Sequence, residues 1–489
     1  MGNVSKFARA LCSASLLATG ITTAASAQTA QTGQTTSTDQ TGQAAPTGPQ
    51  TGKPQSPETA PQQRPAPTSP VPAFAVLGPS REIKLAENTW FRFGAQVQAW
   101  YRAAQDRLTG TTASGTYAQD FYCRRCRFFT TGSVVKDVYF NVLFEASNFG
   151  RADATTGVKS FAAPVILDAY AQVKFADAFW LSGGSILMPL TRNGTQPTTT
   201  YVSIDNANVD TTPILQGNST VLRDLGLQAN GFFLANHLEY RVGIFQGSRQ
   251  AASGTTQTAS HNGPRLVTYL NLNFWDTETG YVNGGHYYGA KKVLGVMGNF
   301  DYQVLRTDAP GFPAVLLGST AVPPAGTSKN AYYGLSGAAF INYPLSGTPS
   351  RTGGDEFVGL LQFGYYDGGL TTTTAGAVTT VTNPGTYPNV LKQFNYLGEA
   401  GYYNHAGHFS IFGKFEGRKI SGDYPGAVQA ANNQYWLAFG AKYYLAPFNL
   451  LNFALQYERN QFTDTDKALT QPQQSGTNSI TFQMQLLLY

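Results

Sequence analysis

The sequence predicts an all-β chain folded as a transmembrane antiparallel β-barrel of about sixteen strands, with long extracellular loops and short periplasmic turns. Three observations predict it. Only 12% of the 489 residues are charged while 13% are aromatic, against roughly 25% charged in an average soluble domain. Segments of about ten residues alternate apolar with polar or small side chains, the period and length of a tilted membrane-crossing strand. The links between these segments alternate long and short, as outer loops and periplasmic turns do.

The N-terminus carries an export address. Lys6 and Arg9 form a positive region, Ala10 to Ile21 a short apolar region, and Ala25-Ser26-Ala27 a small-residue cleavage site, so residues 1–27 read as a signal peptide. The apolar run is too short for a membrane anchor. Cys12 lacks the small residues that precede a lipoprotein cysteine. Cleavage leaves 31 basic against 28 acidic side chains, a balance of +3, which excludes a strongly basic nucleic-acid binder. Residues 28–80 are Thr, Gln, Gly, Pro, Ala and Ser with few aliphatics. Such a stretch buries too little apolar area to offset its ordering entropy, so a disordered periplasmic segment is expected.

The barrel domain is expected over 81–489. Its first strand is Phe91–Arg102, with Phe91, Phe93, Ala95, Val97, Ala99 and Tyr101 on one face and Arg92, Gly94, Gln96, Gln98, Trp100 and Arg102 on the other. Arg125–Val134, Val138–Ala146, Val165–Phe175, Trp180–Leu190, Asp224–Phe232, His237–Gln246 and Arg265–Phe274 follow. Then come Val293–Tyr302, Ala331–Tyr343, Phe357–Asp367, Gln393–Tyr403, His408–Arg418, Tyr435–Tyr444, Asn449–Arg459 and Ser479–Tyr489. Short links at Val135-Lys136-Asp137, Ala176 to Phe179, Leu234-Ala235-Asn236, Asn404 to Gly407 and Leu445 to Phe448 all fall at alternate positions, which puts both termini in the periplasm. Two links on the short side, Trp275–Lys292 and Pro344–Glu356, run longer than a turn. In lipid every backbone N–H and C=O needs an internal partner, and strands achieve that only by closing. A ring of this size encloses an aqueous channel. The last strand alternates Ile480, Phe482, Met484, Leu486 and Leu488 before a terminal Tyr489, similar to the signal read by barrel-insertion machinery.

With the strands placed, the chain from about Phe91 onward resembles the phosphate-selective porin family (porin O and porin P type). The resemblance rests on Arg124-Arg125-Cys126-Arg127, Gly132, Phe144-Glu145 and Phe149. It continues in Asp168-Ala169-Tyr170, Gly184 to Pro189-Leu190 and Arg223-Asp224-Leu225-Gly226. Gly231, Gly243-Ile244-Phe245-Gln246-Gly247 and Gly440 to Leu445 complete it. It implies a homotrimer in the bacterial outer membrane, with the third long link, Thr191–Leu222, folded into the lumen as a constriction. Arg192, Asp205, Asp210 and Arg223 are its candidate charged groups. Leu187 stands where the family often has Lys, which weighs towards a general pore over a phosphate-specific one.

Period two assigns the lumenal wall. Its basic candidates are Arg92, Arg125, Arg127, Lys174, Arg241, Arg265, Lys414, Arg418 and Lys442. Its acidic candidates are Asp137, Glu145, Asp168, Asp224, Glu239, Asp301, Glu399, Glu416 and Glu458. The near balance favours cross-strand pairing and a mild selectivity over a single-sign ring. Arg125 and Arg127, with Arg124 beside them, are the densest basic cluster and fit an anion-attracting wall. Cys123 and Cys126, at odd separation, would face opposite sides of a regular strand and could bond only if Cys123 lay in the preceding loop. Asp355-Glu356 reads as a solvated corner. None of His237, His261, His286, His405 and His408 sits in a metal or catalytic motif. The expectation is a passive pore for small hydrophilic or anionic solutes, with no cofactor, metal or catalytic residue. The competing readings are an anion-specific channel and a barrel-anchored enzyme or adhesin.

Overall fold

The computed structural model describes residues 82–105, 117–153, 157–161, 163–210, 222–247, 263–306, 329–350, 352–368, 371–375, 378–382, 390–421, 429–430, 432–446, 449–464 and 476–488. The expected signal peptide at 1–27, the expected low-complexity segment at 28–80 and Tyr489 lie outside them.

Sixteen antiparallel strands close into one ring. We number them β1 Thr89–Gln105, β2 Tyr117–Val135, β3 Val138–Phe149, β4 Val165–Ala176, β5 Phe179–Leu187, β6 Arg223–Phe233, β7 Leu238–Phe245 and β8 Arg265–Asn273. The second half is β9 Val293–Arg306, β10 Lys329–Pro344, β11 Glu356–Asp367, β12 Gln393–Asn404, β13 Phe409–Ile420, β14 Gln434–Ala446, β15 Leu451–Phe462 and β16 Gly476–Leu488. Each strand pairs with its sequence neighbours, and β16 returns to β1 from Ala95↔Leu488 to Ala104↔Ser479. Closure leaves no free edge, which is what a strand structure in lipid needs. A short strand, Ile83–Ala86, adds to the start of β1. Small hairpins Arg151–Ala152/Lys159–Ser160 and Thr371–Ala375/Val378–Thr382 sit in two long loops.

Alternation holds along the wall. Phe93, Phe128, Leu227, Leu361, Phe363 and Phe439 point outward and are exposed, whereas Gln96, Gln98, Asn141, Gln228, Asn271 and Asn342 point inward and are buried. An exposed apolar band on this scale exceeds the patches that soluble monomers tolerate and suits a lipid surround. Several strands run beyond the expected ends, β2 most of all. A strand's ladder can continue past the hydrocarbon, where polar residues such as Gln119 and Asp120 no longer spoil it. β5 ends earlier than expected, because Met188-Pro189-Leu190 turns into the lumen. Gly184 (φ 130°) sits against the Ala169 carbonyl and the Tyr170 backbone, where no Cβ would fit. The turn after β6 holds Leu234, Ala235 and Asn236 all at positive φ, a tight reversal that costs some backbone strain. Asp137, expected on the lumenal wall, instead occupies the β2–β3 turn at φ 62°.

Candidate functional site

Two segments narrow the bore. The first is the long link after β5, described to Asp210. Its backbone is held by inward side chains across the barrel. Asn299 donates to the Pro189 carbonyl (2.8 Å) and Ser336 to that of Leu190 (2.7 Å). The amides of Asn193, Ser203 and Val209 donate to Gln362, Glu399 and Glu416 (3.0, 3.0 and 3.1 Å). Lys442 and Asn449 donate to the carbonyls of Tyr201 and Thr199. A loop buried this way must have its polar backbone satisfied, and these inward amides and carboxylates do it. Val202, Ile204, Ala207 and Val209 pack in one buried apolar cluster with Val358, Leu360, Leu397 and Phe412. The lumenal face of β11–β13 is therefore partly apolar, to receive the loop.

The second segment enters from the short-turn side. It is the over-long link between β8 and β9. Glu278 takes both arms of Arg192 (2.8 and 3.0 Å) and also accepts from the Tyr287 hydroxyl. Arg192 donates to the Gly284 carbonyl (2.9 Å). Arg241 donates to the carbonyls of Tyr281 and Gly280 (2.7 and 3.2 Å). The Tyr281 hydroxyl accepts from the Leu187 amide (2.6 Å). His286 meets Glu356 (2.6 Å), both fully buried, and the Gly289 amide donates to the same carboxylate (2.8 Å). The other over-long link, between β10 and β11, braces this one: Ser350 and Gly354 donate to the carbonyls of Gly289 and Tyr288 (both 2.9 Å). The two lumenal segments also touch, with Asn283 and Gly285 amides donating to the Thr195 carbonyl and the Thr200 hydroxyl (3.2 and 3.1 Å).

Most of the expected wall cations are paired with a carboxylate. Arg92 meets Glu82 (2.9 Å), Lys174 meets Asp177 (2.6 Å) and Arg241 meets Glu239 (2.6 Å). Arg265 chelates Asp301 (2.7 and 2.5 Å), Lys414 meets Glu416 (3.1 Å) and Arg127 meets Glu145. Arg418 donates to the Asn432 carbonyl (3.0 Å). Arg223, assigned to the constriction loop from sequence, opens strand β6 and reaches Asp168 (3.1 Å). Arg124 and Arg125 both grip Asp205 of the loop, Arg124 at 2.9 Å. Two guanidiniums sharing one carboxylate leave that corner with net positive charge.

A β-bulge makes that grip possible. Gln98 pairs with Arg125 but Ala99 with Cys123, so Arg124 is the extra residue. The extra residue resets the alternation, and it overturns the expectation for the cysteines. Both lie within β2 and are bonded to each other, because the bulge returns them to the same side. The acidic pair also departs from expectation. Glu356 is fully buried rather than solvated, and Asp355 accepts from Tyr402 (3.1 Å) and the His405 amide (2.7 Å).

Burial raises the Asp205 carboxyl, but Arg124 and Arg125 outweigh it and hold its pKa well below the usual range. Asp210 has no such partner. Burial pushes it up to about 7, Glu416 adds to the rise, and hydrogen bonds from Gln362 and Thr191 oppose it. Burial lifts the Tyr201 phenol to about 12, against the pull of Arg125. Burial also lowers the Lys291 ammonium despite Glu278 and Asp276 nearby.

Sequence reasoning missed Glu278, Tyr287, His286 and Glu356 as parts of the bore. Their signal was the length of the two short-side links. Among the described residues no cluster of three or more His, Cys, Asp or Glu could hold a metal ion.

No family model matches the sequence, and no curated protein matches it. Among solved structures the chain is similar to OmpF of Salmonella typhi in complex with daunomycin, at 12% identity and a TM-score of 0.47, over 83% of this chain and 100% of that one. It is also similar to OmpT, an outer membrane protein of Vibrio cholerae in trimer form, at 10% identity and a TM-score of 0.42, over 81% and 98%.

Proposed function

We propose that the protein is an outer-membrane pore for passive diffusion of small hydrophilic solutes, with a mild preference for anions. The observation that carries this is a closed ring of strands, apolar outside and polar inside, whose bore is narrowed by segments from both rims. The narrowing limits solute size. The anion preference is mild because most wall cations already hold a carboxylate; its source is the Arg124–Arg125 corner. The reading is non-enzymatic and needs no cofactor. Assembly as a homotrimer belongs to the same proposal. Liposomes carrying the purified protein swell in iso-osmotic small sugars, at rates that fall steeply with solute size. Swelling no faster than protein-free liposomes contradicts the reading.

A second reading, a channel specific for phosphate or a carboxylate, is favoured by the bulge that gathers Arg124, Arg125 and Arg127 at the constriction. Micromolar phosphate would then block chloride current. Neutralising Arg124 and Arg125 lowers anion preference in reversal-potential measurements under either reading, and an unchanged reversal potential rejects the role of that corner.

A further inference from the structure

Between the constriction loop and the wall of β1–β3 lies a cavity that encloses about 770 Å³ counting its open mouth. Its walls hold an unusual density of unsatisfied polar atoms. Gln96 Nε2, Arg127 Nη2, Asn141 Oδ1, Thr199 Oγ1 and both amide atoms of Gln196 are buried without a hydrogen-bond partner. All these side chains belong to residues less than a tenth exposed, and all line this one cavity. Leaving such groups unmet is costly, so the cavity is built to be occupied by something that hydrogen-bonds.

The chemistry of the occupant follows from the mixture. Gln96 and Arg127 offer N–H donors, Asn141 offers an acceptor, and Gln196 and Thr199 offer both. An anion such as phosphate accepts more bonds than it donates and would set negative charge against the Asn141 and Gln196 carbonyl oxygens. The guanidiniums that line this cavity, Arg125, Arg127 and Arg223, each hold a carboxylate, of Asp205, Glu145 and Asp168, and the surplus cation of the Asp205 corner, Arg124, is not part of the lining. A hydroxyl both donates and accepts and suits every position. Phe129, Leu143 and Leu187 complete the lining with apolar surface, a match for C–H groups between hydroxyls. We propose that this cavity is a binding subsite for a small neutral polyol or sugar on the solute path. The proposal deepens the pore reading by naming a solute class, yet binding is measurable on solubilised protein whether or not the pore conducts.

The test is equilibrium dialysis of radiolabelled xylitol against the full mature protein in detergent, with inorganic phosphate as the second probe. Wild type binds xylitol saturably, and excess phosphate does not displace it. Gln196→Met, isosteric and outside the strand ladders, together with Thr199→Val weakens xylitol binding at least tenfold. Gln96→Leu, checked for folding by heat-modifiable electrophoresis, weakens it further. No saturable xylitol binding means the cavity holds water only and overturns the proposal. Displacement by phosphate, or affinity unchanged in the Gln196→Met/Thr199→Val variant, overturns it equally.

Discussion

Removing the Glu278 carboxylate strikes the point where the two lumenal segments are tied together. The Arg192 and Glu278 side chains are each 2% exposed and joined through both arms of the guanidinium. In Glu278→Ala the Arg192 charge keeps only the Gly284 carbonyl and the face of Phe340, 4.0 Å away. Breaking one partner of a buried pair costs about 3–5 kcal/mol. At about 1.4 kcal/mol per factor of ten, the balance between docked and undocked segments moves by two to three and a half orders of magnitude. Neither residue belongs to a strand ladder, so the barrel itself keeps its heat resistance on gels. Single-channel recording in planar bilayers then shows larger and noisier openings for Glu278→Ala than for wild type. The double variant Arg192→Ala/Glu278→Ala, which leaves no orphaned charge, is less disturbed than the sum of the singles. Openings of wild-type size and noise in Glu278→Ala, or strict additivity in the cycle, would refute the reasoning.

Other expectations follow from the same structure. Leu361 points outward near the middle of β11 and is 68% exposed, so Leu361→Arg costs about 2–4 kcal/mol of unfolding free energy in vesicles while Phe357→Arg near the rim costs about 0–1; equal costs would argue against a lipid-facing surface. Asp210, held at about 7, keeps a proton that an undocked loop loses near the ordinary value of about 3.9. Its contribution to docking is therefore complete below that value and is lost as pH climbs to about 7, by up to about 1.4 kcal/mol per unit. Channel noise rises across this window in wild type, and Asp210→Asn removes the rise; a variant that keeps the full pH response rules Asp210 out. The exported chain, freed of Cys12, takes up no maleimide before reduction and two after it, because Cys123 and Cys126 are bonded; uptake before reduction contradicts cleavage or the bond.

The barrel was legible because its pattern is repeated in every strand. Alternation in β1 or β16 needs only the neighbouring residues to be read. The alternating link lengths then fixed which rim each end belongs to. The interior was less legible because it is set by contacts between residues distant in sequence. Asp205 meets Arg124 and Arg125 across 81 and 80 residues of sequence, and no local spacing announces it. The bulge at Arg124 breaks period two at the one place where the cysteines depended on it. Inward Val358, Leu360 and Phe412 carry a faint signal, since an apolar residue on the polar face implies a cover. Glu356 looked solvated because its partner, His286, arrives from another link.

A lipid-clad ring around a wet but narrowed passage conducts ions. Recording from the purified mature protein in a planar bilayer tests that directly. Discrete, ohmic current steps of small amplitude, for a ring of this many strands, are expected. A protein that inserts, shown by protection of its strands from protease, yet passes no current steps would contradict it.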